Sequence, residues 1–389
     1  MKLSDFLKIF SIPFKNKLIT ISFFLFYYSK SQSIQNNLEF NLSEFNFKIK
    51  PTAIKFLNFD KDKILDLLSY ENNSLNIYLG DSTGNFTLNE ELLKSKTITE
   101  IKSSDLNSDN LDDIILVHHD LNKIQILIQD TSDLKFKSFE YDVNFYPDNL
   151  LIYDLNQDGI SDICVFGKSS TGVTILVGKK NGTFQSAEIL FDEIPISNIY
   201  PVNINNDKTI DLCVLNWLTN ELIFFAGMGN LDYYIFDQLK LKHETNNLFF
   251  MKFNSDKYSD YIISNNNKYS FFVVDAQSKT REIYSNKTKN TINKIDTFSS
   301  KQDKYNYIFI STEEGEIDLL KLDLLNNIVV ANSQNIKNDK VFLEDLDGNN
   351  QKEIILLNDN NLKILWLDKS SSNSDKIVFT NTRHLINSN

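Results

Sequence analysis

The chain is poor in the residues that build small cross-linked or glycine-rich scaffolds. Among its 389 residues are only 2 Cys, 11 Gly, 5 Pro and 2 Trp. Two cysteines exclude a disulfide-dense fold, so the hydrophobic residues, which make up 41% of the chain, must supply the core. With so little Gly and Pro, the turns must depend on Asn, Asp and Ser, whose side chains stabilise turns through local hydrogen bonds.

The chain also lacks an apolar run long enough to span a membrane. Its N-terminal run, Leu18–Tyr28, has 11 residues, whereas a spanning helix needs about 18. Four lysines precede the run and the small-x-small sequence Ser29-Lys30-Ser31 follows it. This pattern predicts a signal peptide over residues 1–31 that is cleaved before Gln32. An uncleaved anchor is the alternative. The mature chain is then exported to the envelope, cell surface or medium, with no integral membrane segment.

Recognisable catalytic and nucleotide-binding motifs are missing as well. The sequence contains no Gly-x-Ser-x-Gly, His-Glu-x-x-His, phosphate-binding loop or Cys-x-x-Cys. His118 and His119 are adjacent on a predicted strand and point to opposite faces, so they do not chelate a metal together. We therefore predict no catalytic residue and no organic cofactor. The net charge of −12 argues against nucleic acid as a partner.

What the chain does contain is a repeated phrase, in which an Asx-rich loop is followed by an acid and a short apolar strand. The clearest copy runs from Asp154 through Asn156, Asp158 and Gly159 to Asp162. The last acidic position, or its substitute, recurs at Asp66, Asp113, Asp162, Asp211, Asp260, Asn306 and Glu353, with spacings of 47, 49, 49, 49, 46 and 47 residues. A fixed period of this size indicates one supersecondary unit repeated along the chain.

Each repeat contains four strand-like segments and no helical pattern. This predicts an all-β fold, a seven-bladed β-propeller with four antiparallel strands per blade, over residues 32–389. A solenoid is the competing architecture. Ring closure requires one terminal segment, either 38–45 or 376–379, to complete the last blade. The predicted repeats centre near residues 58–66, 105–113, 154–162, 203–211, 252–260, 296–306 and 345–353.

The loop at Asp154–Asp162, followed by Gly178 and by the Gly182-Thr183-Phe184 segment, resembles the FG-GAP / VCBS repeat family. Gly84-Asn85-Phe86 is a second copy of the glycine–phenylalanine part. The resemblance implies a β-propeller of the kind found in extracellular proteins, including the head of integrin α-subunits. It also implies Asp-rich loops that bind Ca²⁺. No inserted ligand-binding domain is present, so the integrin adhesive function does not transfer.

The loops also predict structural Ca²⁺ sites from their own chemistry, because positions 1, 3, 5 and 9 offer oxygen ligands. The same Asx side chains can instead cap turns. The predicted metal ligands are Asn58, Asp60, Asp62 and Asp66; Asp105, Asn107, Asp109 and Asp113; Asp154, Asn156, Asp158 and Asp162; and Asp345, Asp347, Asn349 and Glu353. The fourth repeat has neutral Asn203 and Asn205, the fifth has Lys252 at the first position, and the sixth has a lengthened loop. The ligand pattern therefore weakens from the fourth repeat to the sixth.

These features favour an exported, non-catalytic binding or scaffold protein with a protein or carbohydrate partner. The alternative is a carbohydrate-active enzyme, a lyase or glycosidase, with a carboxylate or metal site at the mouth of the propeller. A multivalent lectin is disfavoured, because Trp217 and Trp366 do not occupy equivalent repeat positions.

Overall fold

The computed structural model describes residues 38–144, 146–185, 188–205, 207–241, 245, 247–253, 258–274, 280–300, 305–323, 328–367 and 376–385. Within these residues the only helical element is the 3₁₀ turn His119–Leu121, and all other regular structure is strand. The all-β prediction is therefore confirmed. The strands are β1 Leu38–Asn46, β2 Ala53–Leu57, β3 Asp66–Glu71, β4 Ser74–Gly80, β5 Phe86–Lys94, β6 Glu100–Ser104, β7 Asp113–His118, β8 Lys123–Gln129, β9 Phe136–Asp142, β10 Asn149–Tyr153, β11 Asp162–Phe166, β12 Thr171–Leu176, β13 Glu188–Val202, β14 Asp211–Asn216, β15 Glu221–Gly229, β16 Asp232–Lys240, β17 Asn247–Met251, β18 Asp260–Asn265, β19 Lys268–Val274, β20 Thr280–Lys287, β21 Ile292–Ser300, β22 Tyr305–Thr312, β23 Glu316–Asp323, β24 Ile328–Asn335, β25 Lys340–Glu344, β26 Glu353–Asn358, β27 Asn361–Trp366 and β28 Lys376–Leu385.

The strands form antiparallel units in chain order, and each unit matches one sequence repeat. Units one, two and five are the separate four-stranded sheets β2–β5, β6–β9 and β17–β20. Units three and four share the 15-residue strand β13, whose first half pairs with β12 and whose second half pairs with β14. Unit six is β21–β24, and unit seven is β25–β27 together with β1.

In units one to five and seven, the second strand begins at the repeat acid. Every residue of β3, β7, β11 and β14 is buried. The last three contain the continuous apolar runs that follow Asp113, Asp162 and Asp211 in the sequence, whereas β3 also buries Ser69 and Glu71. Branched and aromatic side chains on such a strand contact the neighbouring unit on either side, which explains why the runs do not alternate with polar residues.

Both termini take part in closing the structure. Asn41–Asn46 of β1 pairs with β27, so the N-terminal segment supplies the fourth strand of unit seven. The C-terminal strand β28 pairs with the start of β1 through residues 376–379 and with β24 through residues 380–385. It thus covers the outer edge of unit six and links that edge to unit seven, a role that the sequence did not indicate.

The core consists of apolar clusters that lie between successive units. Phe59 and Leu68 of unit one pack with Leu116 of unit two, and comparable clusters join two to three, three to four, four to five, five to six and six to seven. A last cluster joins unit seven to unit one through Trp366 and Phe56. The packing therefore returns to its starting point. Each unit buries both faces against neighbours, as strands in a ring of sheets must.

No helix among the described residues is long and apolar enough to cross a membrane. The predicted signal peptide, residues 1–31, lies outside the described residues.

Candidate metal loops

In units one to five, the repeat acid that closes the loop is a buried carboxylate that accepts two backbone hydrogen bonds. Asp113 is fully buried. Its Oδ2 accepts the N–H of Leu106 in the loop at 2.9 Å, and its Oδ1 accepts the N–H of Gln129 at the end of β8 at 2.8 Å. The same pair of bonds recurs at Asp66 with Phe59 and Gly80, Asp162 with Leu155 and Gly178, Asp211 with Ile204 and Gly227, and Asp260 with Phe253 and Val274.

These carboxylates tie the loop to the third strand of the same unit. Burial raises the pKa of Asp113 to about 7 and that of Asp66 to about 6, although the backbone N–H groups oppose the rise. Burial likewise raises the pKa of Asp162 and Asp211. A carboxylate in this position satisfies two buried amides that would otherwise lack acceptors, each at a cost of about 1–3 kcal/mol. The sequence identified this position but not its role as a clamp between loop and strand.

In the four loops predicted to bind calcium, the Asx side chains form a series of Asx turns. In unit two, Asp105 accepts the N–H groups of Asp109 and Asn110 at 3.1 and 2.9 Å. Asn107 Oδ1 accepts the Asp109 N–H at 3.0 Å, and Asp109 Oδ1 accepts the Leu111 N–H at 2.8 Å. The side chains at positions 1, 3 and 5 are thus held against the loop backbone, as the turn-capping interpretation requires.

The other predicted loops repeat this arrangement. In unit three, Asp154 accepts from Asp158 and Gly159, Asn156 from Asp158, and Asp158 from Ile160. In unit one, Asn58 accepts from Lys61, Asp60 from Asp62, and Asp62 from Ile64. In unit seven, Asp345 accepts from Asn349 and Asn350, and Asp347 accepts from Asn349. The common turn geometry places the four predicted positions of each loop around the same short bend.

Unit seven brings three carboxylates together. Oxygen atoms of Asp345, Asp347 and Glu353 lie within 4.8 Å of one another. Oxygens that bind one Ca²⁺ at 2.3–2.6 Å can be about 5 Å apart, so this set fits a calcium ion. Glu353 also keeps the loop side of the clamp, because its Oε2 accepts the Leu346 N–H at 2.7 Å. The same carboxylate thus accepts a loop amide and lies close to two other acids.

In the rest of the described chain, no other group of three acidic, His or Cys ligands lies this close together. The loops of units one, two and three rely in part on Asn, and their closing Asp side chains turn inward to the backbone. Each carboxylate oxygen has a second lone pair, so their assignment as calcium ligands stays a prediction.

The loops of units four to six are those with incomplete sets of predicted ligands. In unit four, Asn205 Nδ2 donates to Asp207 Oδ2 at 2.7 Å, as Asn107 does to Asp109 and Asn156 to Asp158, and the neutral Asn203 stands where those loops have Asp105 and Asp154. In unit five, Asp260 keeps its clamp through the Phe253 N–H at 2.7 Å. Residues 254–257 and 301–304 lie outside the described residues, as does the side chain of Asn306.

Adjacent loops are also bonded to each other, which the sequence pattern did not reveal. Asp112 precedes the repeat acid of unit two; its Oδ2 accepts the Asn58 N–H at 2.7 Å and its own N–H donates to the Asn58 carbonyl at 2.9 Å. Burial raises the pKa of Asp112. In unit three, the Gln157 amide donates to the Lys208 carbonyl of unit four at 2.6 Å. These positions vary between repeats, so periodicity could not mark them.

The two adjacent histidines have separate surroundings. The buried His118 ring lies 2.8 Å from Thr97 Oγ1 and 3.2 Å from Gln125 Oε1. His119 Nδ1 lies 3.1 Å from an Asp148 carboxylate oxygen. They do not converge on one point, in agreement with the prediction that they do not chelate a metal together.

Comparison with protein-family models identifies an FG-GAP-like repeat over residues 154–214. The resemblance predicted from the loop motif is therefore confirmed for this part of the chain, which runs from the loop of unit three into β14 of unit four. Comparison with curated proteins gives no match.

Solved structures give a match over most of the chain. Two crystal structures of BBS1N in complex with ARL6DN share this fold. The one soaked with mercury has a TM-score of 0.60 at 11% identity and covers 86% of this chain and 98% of that chain. The one soaked with lead has a TM-score of 0.58 at 12% identity and covers 86% and 99%. At 11–12% identity, the likeness shows the fold alone, which is a β-propeller.

Proposed function

We propose that this chain is an exported, non-catalytic binding or scaffold protein built on a calcium-stabilised, seven-bladed β-propeller. The observation that carries the proposal is the closed series of apolar clusters, which joins each unit to the next and unit seven back to unit one. Such a ring is a rigid support for surface loops and edges.

The pairing pattern supports a count of seven blades. The units β2–β5, β6–β9 and β17–β20 are complete blades. The shared strand β13 accounts for the merger of blades three and four, and β28 accounts for the merger of blades six and seven. In this arrangement β1 completes the seventh blade, and the seven inter-blade clusters correspond to seven interfaces.

The calcium proposal rests on the loop of unit seven. Asp345, Asp347 and Glu353 would hold the ion with oxygen from Asn349, and the corresponding loops of units one, two and three would hold further ions. Calcium would neutralise carboxylates that repel one another and would fix the bend between the first and second strands. The role is structural and involves no reaction.

The proposed interaction role is supported by the fold and by the two similar solved structures. The titles of the similar structures describe BBS1N in complex with ARL6DN, so a propeller of this shape is seen bound to a partner. Propellers host many functions, and fold alone does not select one. We propose a protein or glycan partner at the envelope or outside the cell.

Two measurements test the proposal. Mass spectrometry of the exported protein should find a chain that begins at Gln32, and an intact N-terminus would contradict cleavage. A turnover screen on purified protein with a panel of polysaccharides should show no product above that of a heat-inactivated sample. Robust turnover would favour the carbohydrate-active enzyme instead.

A further inference from the structure

The outer edge of unit four differs in chemistry from those of units one, two and five. On β16, Tyr234, Ile235 and Phe236 are consecutive and 48%, 52% and 40% exposed. The outer strand β9 exposes polar residues such as Lys137 and Glu140, and β20 exposes Arg281 and Glu282. β5 exposes one large apolar side chain, Leu88, among polar neighbours. An exposed apolar edge strand offers unpaired backbone groups to another strand.

The molecule already uses an outer edge in this way. The C-terminal strand β28 adds to the outer strand β24 of unit six as a fifth antiparallel strand, with Ile328 opposite Leu385. Its residues 380–385, which lie on the β24 edge, include Arg383, His384 and Leu385 and no acid, whereas the apolar residues 377–379 pair with β1. One outer edge of this molecule therefore accepts an additional extended segment of basic composition that ends in an apolar residue.

A cavity adjoins β16 at the interface between units four and five. It has a volume of about 100 Å³ and is lined by side chains that include Phe224, Phe236, Leu239 and Phe250. The apolar cluster at this interface has six buried members among the described residues, to which residues 254–257 and 275–279 do not belong. The cavity is large enough for one apolar side chain.

The charged residues along β16 indicate the charge of the partner segment. Asp232 and Asp237 are exposed and form no ion pair with any described residue, whereas Lys240 at the other end lies 3.5 Å from Glu221. The edge is therefore negative, on a chain with a net charge of −12. A bulge at Phe236 interrupts the pairing with β15, so β16 is regular from Asp237 to Lys240. A short strand added to this edge therefore fits best beside Asp237–Lys240.

We propose that the β16 edge is a docking site for an extended segment of a partner protein, with apolar residues flanked by Lys or Arg. The segment adds to β16 as an antiparallel strand next to Asp237–Lys240. One apolar side chain enters the cavity beside Phe236 and Leu239, and a basic side chain faces Asp237. Main-chain hydrogen bonds provide affinity and the pocket provides specificity. This inference rests on the proposed binding function and specifies its partner.

The test uses the full mature chain and a fluorescent peptide with the sequence of residues 376–385. We expect saturable binding with a Kd in the micromolar range, measured by fluorescence anisotropy. Phe236→Lys should weaken it at least about tenfold, as loss of a central anchor does. Leu88→Lys, at a similarly exposed position (54%) on β5, is the matched control and should change it less than about twofold. No saturation at about 1 mM peptide, or equal affinity for Phe236→Lys, would overturn the proposal.

A charge reversal keeps the test decisive if Phe236→Lys fails to fold. Asp237→Lys changes only an exposed side chain. This variant should weaken binding of the basic peptide and strengthen binding of a peptide that carries Lys376→Glu and Arg383→Glu. An unchanged preference for the basic peptide would contradict the assigned site. Because polysaccharide turnover is measured separately, failure of the peptide to bind leaves the non-catalytic proposal standing.

Discussion

The loops of units seven and two both carry Asx residues at positions 1, 3 and 5, but they differ in the placement of the acids. In unit seven, Glu353 accepts the Leu346 N–H and also lies within 4.8 Å of Asp345 and Asp347. In unit two, position 3 is the amide Asn107, and Asp113 accepts the N–H groups of Leu106 and Gln129 without joining such a cluster among the described residues. The closing acid therefore has two separable roles, as clamp and as ligand, and two differences distinguish unit seven: the acid Asp347 at position 3 and the longer side chain of Glu353.

The clamp should produce the largest effect, because it satisfies two buried amides. We expect Asp113→Ala to lower the free energy of unfolding by about 3–5 kcal/mol, from two unsatisfied N–H groups and a small cavity. Urea denaturation in excess chelator measures this loss without any metal contribution. Asp142→Ala, at a side chain that is 89% exposed on β9, is the control and should change stability by less than about 0.5 kcal/mol. Equal stability of the two variants would rule out the clamp.

The ligand role should appear in Asp347→Ala. Asp347 belongs to the carboxylate cluster but lies outside the clamp, so its removal should weaken Ca²⁺ binding at unit seven at least about tenfold. In chelator its stability should stay within about 1 kcal/mol of the parent. Isothermal titration calorimetry gives the affinity. Unchanged calcium binding, or a large loss of stability in chelator, would show that the two roles are not separable here.

Shortening the closing acid of unit seven tests whether the ligand role depends on the length of the Glu353 side chain. Glu353→Asp should keep the backbone bond to Leu346 while withdrawing the carboxylate from Asp345 and Asp347. We expect the affinity of this loop for Ca²⁺ to fall about threefold to tenfold, with stability in chelator nearly unchanged. A variant that binds calcium as tightly as the parent would contradict the comparison.

The smallest effect is expected in unit four, where Asn205 donates to Asp207. Asn205→Asp removes this donor and adds a carboxylate to the loop. Stability in chelator should fall by about 0.5 kcal/mol through repulsion, and stabilisation by Ca²⁺ should rise. Thermal unfolding of parent and variant under both conditions measures the change. A loss of stability that Ca²⁺ does not recover would show that this loop is a turn alone.

The period of the repeat acid was enough to predict an all-β fold of repeated four-stranded antiparallel units, because units one to five and seven each have a buried acid at the start of the second strand. Periodicity also predicted the positions of the loop oxygens. It did not predict the partners of Asp66 or Asp113, since a carboxylate that ligates a cation and one that accepts backbone N–H groups require the same residue at the same place.

Features that occur only once in the chain could not be predicted from the period of the repeat. The Asp112–Asn58 pair joins two loops through a residue that is Ser or Lys in some other repeats. The long strand β13 and the added strand β28 depend on pairing between segments far apart in sequence. The exposed Tyr234–Phe236 segment reads as an ordinary apolar strand until the fold places it at an edge.

Thermal unfolding of the unmodified mature protein, in Ca²⁺ and in excess chelator, tests the calcium-stabilised ring most directly. With free Ca²⁺ at about a hundredfold above Kd, each occupied site adds about 2.7 kcal/mol to the stability of the native state. We predict a midpoint at least about 5 °C higher in Ca²⁺ than in chelator. An unchanged midpoint would contradict a structural role for calcium in this protein.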